Sequence, residues 1–401
     1  MSLNNTPTSE RIHIGIFGRR NAGKSSLINA ITGQNLAVVS DVAGTTTDPV
    51  IKSMELLPLG PVVIIDTPGI DDVGELGKMR VIKSYQALNK TDIAILAIDS
   101  TAEINDDDRQ LIKRLEEKNI PFIIAMTKSD ENENPSIPKD FANNLIHVSS
   151  KTGKNIYELK ERIAKLRPCT ENTNRIVADL LQPGDFVVLV VPIDSAAPKG
   201  RLILPQQQTI RDILDAGAVS IVTKDTELES TLNNLGKKPK LVITDSQAFA
   251  KVSKITPDDI MLTSFSILFA RYKGNLKTVV QGAKTLETLN EGDKILISEG
   301  CTHHRQCEDI GTVKLPKWIE EYTGKKINFD FTSGTEFPED LSAYKLIVHC
   351  GACTLNEREM KYRLKCAADQ NIPITNYGIL ISYMQGILMR CIAPFPEFSN
   401  L

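Results

Sequence analysis

Gly18-Arg19-Arg20-Asn21-Ala22-Gly23-Lys24-Ser25 decides how the chain begins to fold. It follows an alternating segment that ends in apolar residues, Arg11 to Phe17, and fills every fixed position of a G-x-x-x-x-G-K-[ST] phosphate loop. The glycines, Gly23 among them, let backbone N–H groups wrap a phosphate. Lys24 reaches the β and γ oxygens, and the Ser25 hydroxyl ligates magnesium. Ser26 to Thr32 reads as the helix whose N-terminus, with Ser26 in its first turn, faces the anion. Downstream, Asp66-Thr67-Pro68-Gly69 follows the strand Val62 to Ile65, which sets Asp66 near the magnesium and lets Gly69 meet the γ-phosphate through its N–H. The strand Phe122 to Met126 then runs into Thr127-Lys128-Ser129-Asp130. A carboxylate at Asp130 accepts two hydrogen bonds from guanine N1 and N2 that adenine cannot offer, so the expected nucleotide is GTP.

Ser149-Ser150-Lys151, after the strand Ile146 to Val148, resembles the last GTPase motif, whose backbone touches the guanine carbonyl. Thr127 stands where the fourth motif more commonly has Asn, a departure that loosens the expected base pocket. Gly44-Thr45-Thr46-Thr47-Asp48 occupies the place of the first switch. With Asn21 inside the phosphate loop, it looks like the branch of GTPases related to the tRNA-modification and ribosome-assembly enzymes. That resemblance implies Thr46 as the residue completing the magnesium shell and Asn21 as a potassium-binding residue beside the phosphates. Lys24, Thr46 and Gly69 are then the groups closest to the reaction. Ile70 follows Gly69 where a Ras-like enzyme carries its water-orienting Gln, so unaided hydrolysis is expected to be slow. Asp71 and Glu75 are further candidates for orienting water, though both also read as ordinary solvated loop residues.

The length of 401 residues predicts two or three domains. A formal charge of -3 and a pI near 6.1 give no basic footprint for nucleic acid, and none is expected as a partner. The polar N-terminus lacks the blocks of a secretory signal, which predicts a cytoplasmic protein. Residues 372–389 carry no charge, but Pro373, Asn376, Ser382 and Gln385 argue for a short strand and a buried helix and against a membrane span. Beyond Arg167 the pattern restarts. Strands at Phe186 to Val191, Ser220 to Thr223 and Leu241 to Thr244 alternate with helices at Gln206 to Ala216 and Glu227 to Asn234, which implies a three-stranded parallel sheet. With no chemistry of its own, this segment is expected to be a spacer or a self-association domain, in the latter case a dimerisation unit whose open sheet edge is extended by a twin. Lys199-Gly200-Arg201 reads as an exposed turn.

A third alternation follows, with strands at Met261 to Phe269, Lys294 to Ser298, Ile327 to Phe331 and Tyr344 to Val348, and helices at Leu276 to Leu289, Pro316 to Tyr322 and Glu357 to Asp369. Of the 7 Cys, all but Cys169 lie in this last part. His349-Cys350-Gly351-Ala352-Cys353 and Cys301-Thr302-His303-His304 each follow a strand directly, and ligand sites of open α/β sheets form outside the carboxyl ends of strands. Zinc would take the three thiolates of Cys301, Cys350 and Cys353 with His303 or His349. A four-iron cluster would take the thiolates and leave one iron for a weaker ligand. Cys169, Cys366 and Cys391 are isolated and read as structural, and Cys307 stays undecided.

This union of motifs resembles the [FeFe]-hydrogenase maturation GTPases, the HydF family, over essentially the whole chain. The resemblance implies an α/β protein of three domains: a P-loop GTPase domain (1–168), a small dimerisation domain (175–265) and a Rossmann-like cluster domain (266–401). It implies a [4Fe-4S] cluster on Cys301, Cys350 and Cys353, with His303 and His349 as motif residues. It implies a GTPase scaffold that receives a di-iron precursor from radical-SAM maturases and delivers it to apo-hydrogenase. Glu308, His303, His304, Cys307 and His349 are candidates for the fourth cluster position. The rival expectation is a zinc-containing regulatory GTPase of RNA or ribosome assembly using the same ligands.

Overall fold

A computed structural model describes residues 6–33, 49–71, 74–132, 141, 144–167, 175–193, 202–274, 276–300, 309–334, 336–352 and 355–398. The chain divides into two compact units, Met1–Thr170 and Glu171–Leu401.

The first unit is built on a six-stranded sheet of β1 (Ile12–Phe17), β2 (Val50–Leu56), β3 (Gly60–Asp66), β4 (Ile93–Asp99), β5 (Phe122–Thr127) and β6 (Leu145–His147), in the order β2-β3-β1-β4-β5-β6. Only β2 runs antiparallel, as the hairpin partner of β3. The central strands are near-continuous apolar runs because both their faces are covered, as parallel sheets require. Ile14, Ile16, Val62, Ile64 and Ile95 face one core, with α1 (Lys24–Thr32) and α4 (Ile156–Lys165) above them. Phe17, Ile65, Leu96 and Ile124 face the other, against α3 (Asp106–Glu117). α2 (Gly74–Leu88) follows the β3 loop. Helix α3 starts at a capping box, Asn105 with Asp108, and α4 presents Ile156, Leu159 and Ile163 at helical spacing.

The second unit holds two four-stranded parallel sheets of identical strand order. One, β10-β9-β7-β8, comprises β7 (Phe186–Val190), β8 (Val219–Thr223), β9 (Leu241–Thr244) and β10 (Met261–Ser264). Its helices are α5 (Leu204–Asp215), α6 (Leu228–Asn234), α7 (Phe249–Ile255) and α8 (Phe265–Lys273). The other, β12-β11-β13-β14, comprises β11 (Lys294–Ser298), β12 (Asn328–Thr332), β13 (Leu346–His349) and β14 (Ile374–Asn376). With it go α9 (Leu276–Ala283), α10 (Leu315–Thr323), α11 (Glu357–Asp369), α12 (Tyr377–Met384) and α13 (Leu388–Ile392). One apolar core runs through both sheets, from Val188 and Leu189 to Ile295 and Val348. In each sheet the chain winds outward from the middle pair. The order therefore reverses between β7 and β9 and again between β11 and β13, the place where doubly wound sheets open a crevice.

The segment Met261 to Phe269, expected as one strand, is a strand followed by a helix. The Ser264 hydroxyl accepts the Ile267 N–H at 3.2 Å and caps α8, so the apolar run changes period at that residue. Strand β10 pairs with β9 and gives the first of these sheets a fourth strand beyond the three expected. The uncharged C-terminal stretch packs into the core: Ile379, Leu380 and Ile381 of α12 are no more than 2% exposed. Among the described residues no helix is long and apolar enough to cross a membrane.

Candidate functional site

The phosphate loop of the first unit takes its shape from residues with positive φ, Gly18 (144°), Asn21 (57°) and Gly23 (79°). A Cβ on Gly18 would lie 2.2 Å from the Ala97 carbonyl, so the loop passes too close to β4 for any side chain. The Lys24 ammonium lies over the loop, donating to the carbonyls of Gly18 (2.9 Å) and Arg19 (2.7 Å). The Ser25 hydroxyl stands 3.5 Å from Asp66 Oδ2. Burial pushes the Asp66 carboxyl up to about 6 against the pull of Lys24, and its Oδ1 is buried without a hydrogen-bond partner among the described residues. A buried carboxylate oxygen beside a hydroxyl suits a hard divalent cation, so these residues fit magnesium.

Switch and base residues are tied to this loop. The Arg20 N–H donates to Asp71 Oδ1 at 2.7 Å, which occupies one of the two candidate water-orienting carboxylates. Gly69 lies against Arg20, whose Cγ would be 2.6 Å from a Cβ there. The Thr127 hydroxyl bridges the carbonyls of Ala22 (2.8 Å) and Ile98 (3.1 Å), so it anchors the phosphate loop to the base motif from a buried position. Lys128, at φ 53°, reaches Asp99 Oδ2 at 2.5 Å. The Ser149 hydroxyl donates to Asp130 Oδ1 at 2.6 Å and holds that carboxyl below its ordinary range, so the carboxylate stays ionised and oriented. Ser150 follows half-buried and Lys151 exposed. Sequence reading missed the brace behind Arg19. Its Nη2 donates to the Glu103 carbonyl at 2.8 Å and lies 3.2 Å from Asp108 Oδ2 on the fully buried capping-box residue. Only the capping-box spacing of α3 signalled that Asp108 was special. Thr46 and the rest of 44–48, like the Glu75 side chain, lie outside the described residues.

In the second unit, β11 and β13 run side by side with Ser298 opposite His349, so the chain after each strand opens on the same crevice. Cys350 Sγ accepts the N–H of Gly300 at 3.0 Å and of Ala352 at 3.4 Å. Two amide hydrogen bonds on one sulfur favour the thiolate, and this donor environment fits a soft metal or cluster. His349 is 1% exposed with both ring nitrogens engaged: Nδ1 meets the Cys350 carbonyl at 2.9 Å and Nε2 meets Arg363 Nη1 at 2.9 Å. Burial, then the Arg363 charge, pushes the imidazole down to about 3. A neutral ring with Arg363 donating to Nε2 must carry its proton on Nδ1, where it holds Cys350 in place. Arg363 came with no sequence signal. It is fully buried and also binds Glu359 Oε1, Ser298 Oγ and the Gly334 carbonyl. Across the crevice the Tyr377 hydroxyl donates to Glu299 at 3.2 Å, and burial together with the negative charge of Cys350 and Glu299 raises that phenol.

Cys301, His303, His304, Cys307, Glu308 and Cys353 lie outside the described residues, as do Cys169 and Lys199-Gly200-Arg201. Among the described residues no three His, Cys, Asp or Glu side chains form a metal-holding group. Cys366 is half-buried on α11. Cys391 is buried on α13 and its thiol is pushed up to about 12 by that burial, as a structural residue would be.

Three family models match in succession: residues 13–128 a 50S ribosome-binding GTPase, 176–274 a hydrogen maturase F dimerization domain, and 277–394 a hydrogen maturase F tetramerization domain. The chain belongs to the HydF-type GTPases. Its GTPase part is shared more widely. The tRNA modification GTPase MnmE of Endomicrobium trichonymphae is 34% identical over 46% of this chain, which spans 41% of that relative's length. GTPase Era of Rippkaea orientalis is 30% identical over 55% of this chain and 70% of its own, which ties this HydF-type chain to the Era-like GTPases. A crystal structure of Aquifex aeolicus Era bound to GDP·AlF4− overlaps 56% of this chain and 98% of its own, at 20% identity and a TM-score of 0.35. The part expected to hold the metal is thus the part whose HydF model is described as a tetramerization domain.

Proposed function

We propose that this HydF-type GTPase is a scaffold and carrier of [FeFe]-hydrogenase assembly that takes a di-iron precursor as cargo from radical-SAM maturases and hands it to apo-hydrogenase. The observation that supports this reading is the Cys350 sulfur at the β11/β13 crevice, held by the amides of Gly300 and Ala352. Cys350, Cys301 and Cys353 would hold a [4Fe-4S] cluster, which supplies one iron whose fourth ligand is exchangeable. Glu308, His303, His304 and Cys307 are the candidates for that position. His349 serves the set by fixing the Cys350 carbonyl, since its Nε2 is taken by Arg363.

In the first unit, Lys24 and the loop amides take the charge of the β and γ phosphates. Ser25 and Asp66, with Thr46, hold magnesium, and Asn21 holds potassium. Asp130, oriented by Ser149, selects guanine, and water converts GTP to GDP and phosphate. With Ile70 in the water-orienting place and Asp71 bonded to Arg20, turnover is slow and acts as a switch of partner docking. The sheet of 175–265 pairs with its twin in a homodimer. Iron and sulfide analysis of the anaerobically purified full chain tests the reading: about four of each per chain is expected. Colourless protein with one zinc per chain overturns it in favour of a zinc regulatory GTPase.

A further inference from the structure

The buried ammonium of Lys273 is used by neither site as described above. Lys273 is the last residue of α8, which follows β10 of the first of the two sheets, yet it is only 4% exposed. Its Nζ donates to the carbonyls of Ala352 (3.2 Å) and Leu355 (2.9 Å) in the turn after β13 of the other sheet. In sequence these two residues bracket Cys353. Ala352 has φ 52°, a left-handed conformation that a residue with a Cβ adopts only when its surroundings hold it there. The Leu355 N–H closes the turn on the Ala352 carbonyl at 3.2 Å, so Lys273 and Leu355 share one acceptor. Lys273 and Cys350 also line one cavity, whose other walls include Phe269, Val279 and Met360. The Phe269 ring faces Nζ at 5.9 Å. Apolar walls keep the local dielectric low, so a charge there acts on the Cys350 sulfur with little screening.

We propose that Lys273 is a positioning residue for the thiolate site: it holds the Ala352 and Leu355 carbonyls across the junction of the two sheets and sets a positive charge on the cavity that Cys350 lines. The proposal rests on the reading of Cys301, Cys350 and Cys353 as metal ligands. A cation at that point stabilises the more negative, reduced form of whatever the thiolates hold, and it also stabilises the metal-free thiolates themselves. Both effects follow the charge and not the identity of the side chain, so arginine should substitute and methionine should not.

The full chain is therefore compared with its Lys273→Met and Lys273→Arg variants, each reconstituted anaerobically with ferrous iron and sulfide. Midpoint potentials are read by dye-mediated titration in visible absorption. At the wild-type midpoint, Lys273→Met is expected to lower the reduced-to-oxidised ratio about tenfold, which is about 59 mV for one electron, while Lys273→Arg stays close to wild type. Equal midpoints for Lys273→Met and wild type overturn the proposal. Loss of the cluster in Lys273→Met supports it only if Lys273→Arg keeps the cluster, and loss in both overturns it. A second measurement uses the metal-free chains: alkylation of Cys350 by iodoacetamide, followed by mass spectrometry, is expected to be about threefold slower in Lys273→Met than in wild type or Lys273→Arg. Equal rates overturn the proposal. A wild-type chain that takes up no iron defeats the metal reading alone, and the alkylation rates then decide Lys273.

Discussion

Replacing Arg363 by Met is expected to destabilise the second unit by about 3–5 kcal/mol, the cost of breaking a buried ion pair from one side. The guanidinium is 0% exposed and reaches Glu359 Oε1 (3.0 Å), Ser298 Oγ (3.0 Å), His349 Nε2 (2.9 Å) and the Gly334 carbonyl (2.8 Å). Met fills much of the volume but donates nothing. Glu359 is 2% exposed and its Oε2 has no partner among the described residues even with Arg363 present, so the largest share of the loss is an uncompensated carboxylate. Converting Glu359 to Gln in the Arg363→Met background should therefore recover about 1–2 kcal/mol by removing the stranded charge. Trp318, the 1 Trp of the chain, packs against the core of this unit, so its fluorescence in urea follows the relevant transition. With a slope of about 3 kcal/mol per molar, the midpoint should fall by about 1–1.7 M. A fall of less than 0.3 M, on the order of 1 kcal/mol by that slope, or a double variant less stable than Arg363→Met, would refute the account of Arg363 as a charge-compensated node.

Thr127→Val keeps the shape of the side chain and removes the hydroxyl that joins Ala22 to Ile98, so GDP affinity by calorimetry should fall about tenfold, and unchanged affinity would remove Thr127 from the base site. Asp130→Asn replaces an ionised double acceptor, and GTP binding should weaken about a hundredfold or more while xanthosine triphosphate gains; equal loss of both nucleotides would point to a folding defect instead. Gly282→Ala sets a Cβ 2.1 Å from the Ile374 carbonyl where α9 crosses β14, and should cost about 1–3 kcal/mol in the same urea assay, whereas a neutral effect would mean that α9 is free to move.

The phosphate loop was legible because its strand, glycines and helix sit next to one another, so local sequence carries the whole device. The strand that leads to Asp130 was legible from its apolar run, but the work of Thr127 was not. Its partners Ala22 and Ile98 are 105 and 29 residues away, and a hydroxyl bridging two carbonyls leaves no pattern. The strand-end position of Cys350 could be read from the apolar run Leu346 to Val348. His349 read as a free donor because nothing at residue 363 announces a buried guanidinium. Met261 to Phe269 misled because an apolar run has no period of its own, and only the Ser264 cap divides it. Lys273 fell between an expected strand and an expected helix and carried no signal, and its burial is settled by a turn 79 residues away.

The core that joins the two sheets of the second unit has a consequence for how this protein can be cut and inherited. The family matches break at 274 and 277, yet Leu268 and Phe269 before that point and Leu276 and Val280 after it belong to one apolar cluster. A protease or a cloning boundary placed there would split two sequence modules while opening a single interior, and each half would expose the surface its neighbour now covers. Limited proteolysis followed by gel filtration should accordingly give a nicked chain that stays together or fragments that aggregate, and not two soluble halves. Recombination in evolution faces the same constraint, so the two modules should be traded between proteins as a pair.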